Sequence, residues 1–137
     1  MKFKIAAVLA TIALGLPAHA DGDAEKGEKE FKKCKSCHAI ESPDETIVKG
    51  GRTGPNLFGV AGHVAGSVED FRYSDLLAAA NAQGIEWTEE NFVGYVQDPT
   101  GWLKETTGES GRGKMTYKVR KEDDAKDLFA YLSSLSE

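Results

Sequence analysis

The chain has two cysteines, and both fall in one short run, Cys34-Lys35-Ser36-Cys37-His38. Thiols at i and i+3 lie about one helical turn apart, on one side of the backbone. Both can therefore add across the vinyl groups of a single porphyrin. A histidine directly after the second cysteine continues the turn and can bind the iron from beneath the ring plane. The run reads as a site of covalent haem attachment, with Cys34 and Cys37 as the thioether links and His38 as an iron ligand. A redox-active dithiol is the serious rival for the same residues, but such motifs sit beside a βαβ pattern. No β-rich strands flank this one. A zinc site needs four ligands, and after the first twenty residues the only histidines are His38 and His63. A Cys34–Cys37 disulfide would close too small a loop to add much stability.

An iron held by His38 on one side either takes a sixth partner or keeps an open position. After the first twenty residues the chain has one methionine, Met115, which follows the loop Gly111-Arg112-Gly113-Lys114. A lone methionine is as readily core filler as ligand. His63 is the rival ligand, although a lone loop histidine is more often solvated. His/Met ligation leaves no vacancy, so such a centre carries electrons and turns over no substrate, with the thioether raising its reduction potential. An open position would suit a peroxidase-like haem enzyme, for which His63 is the one available acid/base residue. The residues alone leave these readings side by side.

The remaining chain must position these groups. Lys2 and Lys4, the apolar run Ile5 to Leu16 and Ala18-His19-Ala20 read as a secretory signal peptide over residues 1–20, cleaved near Ala20/Asp21. The run is too short for a comfortable membrane span. Export, to the periplasm if the source is bacterial, is the expected destination. Without Lys2 and Lys4, 15 basic residues stand against 22 acidic ones, a formal charge of −7. That balance argues against nucleic acid as a partner. Residues 21–137 are the length of one domain, expected to be monomeric.

Helices are expected from Asp23 to about Lys33, Ser74 to Gln83, Thr88 to Gln97, Asp98 through Leu103, and Lys121 to Leu135. Asp23, Thr88 and Asp98 serve as N-caps, with Pro99 at a first helical position. Gly27 inside the first helix costs roughly 1 kcal/mol against alanine, which close contact with another backbone would explain. Glu41 to Gly62 and Thr106 to Lys114 read as loops. The expected class is all-α, about five helices with long loops wrapped around one covalently attached haem.

With these motifs in order, the chain resembles the class I cytochromes c, in particular the bacterial cytochrome c2 group, over nearly all of residues 21–137. The resemblance rests on Gly22-Asp23-Ala24 through Gly27 and Phe31, Cys34 to His38, and Thr53-Gly54-Pro55-Asn56-Leu57 with Gly59. It continues in Gly84-Ile85-Glu86-Trp87, Tyr95 to Pro99, Lys114-Met115 and Leu128 to Leu132. It implies that Met115 is the distal iron ligand, closing the iron to substrates. It also implies that the Pro55 carbonyl orients His38, that Tyr73 and Trp87 donate to a haem propionate, and that Tyr95 lies near the methionine sulfur. The implied function is electron transfer from a quinol–cytochrome c oxidoreductase (bc1 complex) to a photosynthetic reaction centre, a terminal oxidase or a denitrification enzyme. Docking in such proteins uses lysines around the haem edge, here Lys35, Lys104, Lys114 and Lys118.

The sequence departs from the pattern in two places. Thr106 to Gly113 is longer than in mitochondrial relatives, as in some c2 proteins. His63 stands where relatives usually place an arginine that supports a propionate. A neutral imidazole supports that anion less than a guanidinium does, so the potential is expected to be lower or pH-dependent. Redox titrations across neutral pH, on the wild type beside His63→Arg, should show a pH-dependent potential in the first only; two flat, coincident profiles refute the idea.

Overall fold

The computed structural model describes residues 21–136, so the signal-peptide reading of residues 1–20 lies outside it. Five helices carry the fold: α1 (Ala24–Glu30), α2 (Asp75–Ala82), α3 (Glu89–Gln97), α4 (Pro99–Thr107) and α5 (Glu122–Leu135). A 3-10 turn, Phe31–Lys33, extends α1 to the cysteine run. The caps explain the starts. Asp23 accepts from the amides of Glu25 and Lys26, Ser74 from Leu77 and Thr88 from Asn91. These bonds satisfy amides that a helix leaves unpaired at its first turn.

The terminal helices pack most closely, and they do so through missing side chains. A Cβ on Gly27 would stand 1.9 Å from the Asp127 carbonyl oxygen and 2.7 Å from the Tyr131 Cβ. One on Gly22 would meet the Lys126 carbonyl oxygen at 2.1 Å. Around that crossing Phe31 packs on Tyr131, ring centroids 5.9 Å apart, and Phe31, Leu128 and Leu132 are buried. Phe129 and Leu135 of α5 are only partly covered.

Three expectations are corrected. The 41–62 segment is not wholly loop: β1 (Ile40–Glu41) and β2 (Thr46–Val48) form an antiparallel hairpin with Ile40 opposite Val48. Strands of two and three residues are too short to show a period. Helix α4 runs past Leu103 to Thr107, where Gly108 takes a left-handed conformation (φ 74°) and donates to the Lys104 carbonyl. Lys104 to Thr107 are polar, so no apolar stripe announced that last turn. Asp98 occupies the N-cap position of α4 but makes no side-chain cap bond there. Its carboxylate pairs with Lys118 at 3.2 Å.

Gly27→Ala is the sharpest test of this frame. Its new methyl meets carbonyl and Cβ, neither of which can rotate away, so we expect a loss of about 3 kcal/mol, at the upper end of overpacking costs. Denaturant unfolding beside the wild type measures it, and a loss below about 0.5 kcal/mol, the range of neutral surface substitutions, refutes the close crossing.

Candidate haem site

The cysteine run leaves the 3-10 turn as one more helical turn. The Cys34 amide donates to the Phe31 carbonyl at 2.8 Å, and the His38 amide to the Cys34 carbonyl at 3.0 Å. Cys34 is half-buried and Cys37 exposed. Burial pushes the Cys34 thiol up to about 11, with Glu30 and Cys37 adding to it. A dithiol oxidoreductase needs the opposite, a thiol with a depressed pKa.

Glycines let the chain close over this turn. A Cβ on Gly50 would lie 1.9 Å from the His38 carbonyl oxygen, and one on Gly51 2.1 Å from that of Ser36. The Gly51 amide donates to the Lys35 carbonyl and the Gly54 amide to the Cys37 carbonyl, at 2.9 and 2.8 Å. A Cβ on Gly54 would strike the His38 ring, 2.3 Å from Cε1. The next residue supplies the ring's partner: His38 Nδ1 lies 2.8 Å from the Pro55 carbonyl oxygen. A carbonyl only accepts, so Nδ1 carries the proton and Nε2 keeps its lone pair. Burial also lowers the pKa of this histidine, outweighing the Pro55 bond. A neutral imidazole with one free nitrogen results, which is the form that binds iron.

Asn56 knits the same segment to the hairpin. Its amide group donates to the Glu41 carbonyl (2.8 Å), while its side-chain oxygen accepts from the Glu41 and Phe58 amides (2.9 and 3.1 Å). Its place in a sequence motif gives no sign of this work.

Met115 belongs to a strap between α4 and α5 that is fastened on both sides. Upstream, the Gly113 amide donates to Thr100 Oγ1 at 3.0 Å. Downstream, the Val119 amide donates to the Val96 carbonyl at 2.8 Å, and Gln97 Nε2 to the Arg120 carbonyl at 3.3 Å. The Lys118–Asp98 pair lies beside those two bonds. Both fastenings stand on the α3–α4 elbow, where the missing side chain of Gly94 lets Trp102 lie against α3. Thr100 and Gln97 carry no sequence signal for this role.

The aromatic residues meet nearby. Trp87 packs against Tyr95 and Trp102, centroids 4.9 and 5.7 Å apart. Tyr95 is pushed up to about 12, mainly by burial. Tyr73 is raised by burial as well, and its oxygen accepts from the Val68 amide at 3.0 Å, leaving its proton free to donate. Both phenols are neutral donors at physiological pH.

A single cleft collects Cys34, Cys37, His38, Pro55, Tyr73, Trp87, Tyr95 and Met115. Leu57, Phe58, Val60, Leu77, Phe92, Val96, Leu128 and Leu132 make most of its wall apolar. About 1580 Å³ is free of protein atoms, its solvent-open mouth included. His63 lines the cleft and is exposed. Of the four lysines expected at the rim, only Lys114 lines the cleft; Lys35 and Lys104 are exposed elsewhere and Lys118 is ion-paired. Lys33, which no motif singles out, also lines it and pairs with Glu30 at 3.0 Å. Among the described residues no group of three His, Cys, Asp or Glu side chains is placed to hold a metal ion. Two thiols, a neutral imidazole and a thioether around an apolar slot suit a covalently held haem. The residues fit that group.

No family model matches the chain. Individual relatives do. Cytochrome c2 of Rhodovulum adriaticum is 52% identical over 117 residues, covering 83% of this chain and 93% of the relative. Cytochrome c-550 of Paracoccus versutus is 50% identical over 141 residues, covering 99% and 90%. Among solved structures, cytochrome c2 from Rhodobacter sphaeroides superposes with a TM-score of 0.82 at 47% identity, covering 85% of this chain and 98% of that one. The chain therefore belongs to the cytochrome c2 family, class I cytochromes c that transfer electrons. Its cofactor is one covalently attached haem c.

Proposed function

We propose that Cys34 and Cys37 hold the haem, that His38 and Met115 are its axial ligands, and that the protein carries single electrons without catalysing a reaction on a substrate. One observation supports this reading above the others: a neutral His38, fixed through Nδ1, and Met115 line the same apolar cleft although a long stretch of chain separates them. When bound, the haem iron takes up and gives up one electron. The chain does the rest. Pro55 holds the imidazole in one tautomer and orientation. The strap anchors at Thr100 and Val96 hold Met115 in register, so the change of oxidation state needs little rearrangement. Tyr73 and Trp87 would supply donors to the haem propionates, and Tyr95 would place its hydroxyl near the methionine sulfur. The apolar wall keeps water away, which with the thioether favours the reduced form.

The protein works in the periplasm, as a monomer that docks transiently, after loss of residues 1–20. No described helix is long and apolar enough to cross a membrane. Its donor is a bc1 complex and its acceptor a photosynthetic reaction centre or terminal oxidase. Lys114, which lines the cleft, and the exposed Lys35 and Lys104 meet acidic groups on those complexes. Steering depends on the local field at the contact patch more than on the net charge.

Two measurements test this. The visible spectrum of the oxidised protein should show the charge-transfer band of methionine-sulfur ligation. Met115→His should abolish the band and lower the potential by on the order of 0.2 V, within the ~0.8 V that axial ligands span. A band that survives the substitution refutes the ligand assignment. The rate with an isolated bc1 complex should fall as ionic strength rises, and a salt-independent rate removes the lysine docking face.

A further inference from the structure

Residues 21–23 are pinned one after another. The Asp21 nitrogen donates to Glu89 Oε2 at 3.0 Å, and the Asp23 amide to Asp127 Oδ1 at 2.8 Å. Between them Gly22 lies so close to α5 that a Cβ would stand 2.1 Å from the Lys126 carbonyl oxygen. Glu89 opens α3 and is half-buried. Among the described residues no lysine or arginine forms an ion pair with it. Lys126 is the rival cation, but it pairs with Glu122 at 3.5 Å, and Glu122 raises its pKa more than Asp21 and Glu89 do. The partner Glu89 does have is the Asp21 nitrogen, 68 residues away in sequence.

The charge of that nitrogen depends on what precedes it. Joined to Ala20 it is a peptide amide, with one proton and no charge. Freed by cleavage it is an ammonium with three protons, and charge-assisted hydrogen bonds are roughly twice as strong as neutral ones. We infer that Glu89 is the docking site of the chain's own amino terminus, and that loss of residues 1–20 creates the cation it takes. The pairing rests on the cleavage proposed above. It fastens the start of α1 to α3, while Gly22 and Asp23 fasten it to α5. Maturation thus adds an electrostatic tether to the helix that leads into the haem-attachment turn. A retained Ala20 would carry the ammonium one Cα step away, about 3.8 Å, and leave a neutral amide at Glu89.

The charged groups around this nitrogen are Glu89 of α3, Glu122, Lys126 and Asp127 of α5, and the Asp21 carboxylate. Carboxylates outnumber the one lysine, so the fold favours the protonated amine and raises its pKa above that of the unfolded chain. The pair therefore stabilises fully below about pH 7.7, the ordinary range of the group, and the gain is lost as the pH rises through the folded value.

The test takes the exported, haem-loaded protein. Its intact mass identifies the first residue, and NMR then follows the amino group of that residue through pH. The expected result is a chain starting at Asp21, with an amine that titrates about half a unit above its ordinary range of about 7.7–8.0. Glu89→Gln should return the amine to that range while keeping the visible spectrum, which reports an intact fold. Denaturant unfolding should find Glu89→Gln less stable than the wild type at about pH 7, with the gap narrowed at about pH 9.5. An amine that titrates alike in both proteins overturns the pairing, as does a stability gap of the same size at both pH values. A first residue other than Asp21 overturns the cleavage reading and the pairing with it, and the mass alone reveals that case.

Discussion

The fold depends on the chain meeting itself where no side chain would fit. Gly22 and Gly27 bring α1 against the carbonyls of α5, and Gly50, Gly51 and Gly54 bring the following segment against the haem-attachment turn. Each approach places peptide groups, or a peptide group and the His38 ring, at distances a Cβ would occupy. Such contacts tolerate almost no adjustment, because backbone cannot rotate aside as a long side chain does. They give a small domain rigidity that its limited core could not supply alone. The cysteine turn is caught between two of these regions, the helix crossing on one side and the glycine-rich segment on the other.

That rigidity governs the setting of a single ring. Pro55 is set opposite Nδ1 because Gly54 before it can lie flat on the imidazole, and Asn56 after it ties the segment to the hairpin. Three consecutive residues thus perform three separate tasks: close approach, orientation and anchoring. The methionine side is built differently. It relies on hydrogen bonds from a strap to a helix elbow. One wall of the cleft is fixed by steric exclusion and the other by tethers, so the two walls should differ in compliance.

The sequence made some of this legible and hid the rest for definable reasons. Asp23 and Thr88 announce helix starts through local chemistry, since a cap and the amides it accepts from are neighbours in the chain. Gly27 is readable as a contact because glycine inside a helix asks for a reason, though only the structure names Asp127 and Tyr131 as that reason. The Cys34 to His38 spacing carries its own geometry. By contrast, the hairpin strands are shorter than any period, and the last turn of α4 is polar throughout. Thr100, Gln97 and Lys118 act across long separations, which leave no local pattern. Asp98 misleads for a related reason: its position promises a cap, while a distant lysine claims its carboxylate.

The strap anchors have a bearing on how much this chain can vary. The bond from Gly113 to Thr100 divides the α4–α5 connection into an outer part, Gly108 to Arg112, and an inner part that carries Met115. Residues can be added or removed in the outer part without shifting the register of the inner one, because both ends of the outer part are fixed. This also marks Gly108 to Arg112 as the place to graft an affinity peptide or a fluorescent label, on an exposed stretch that the tether isolates from the iron.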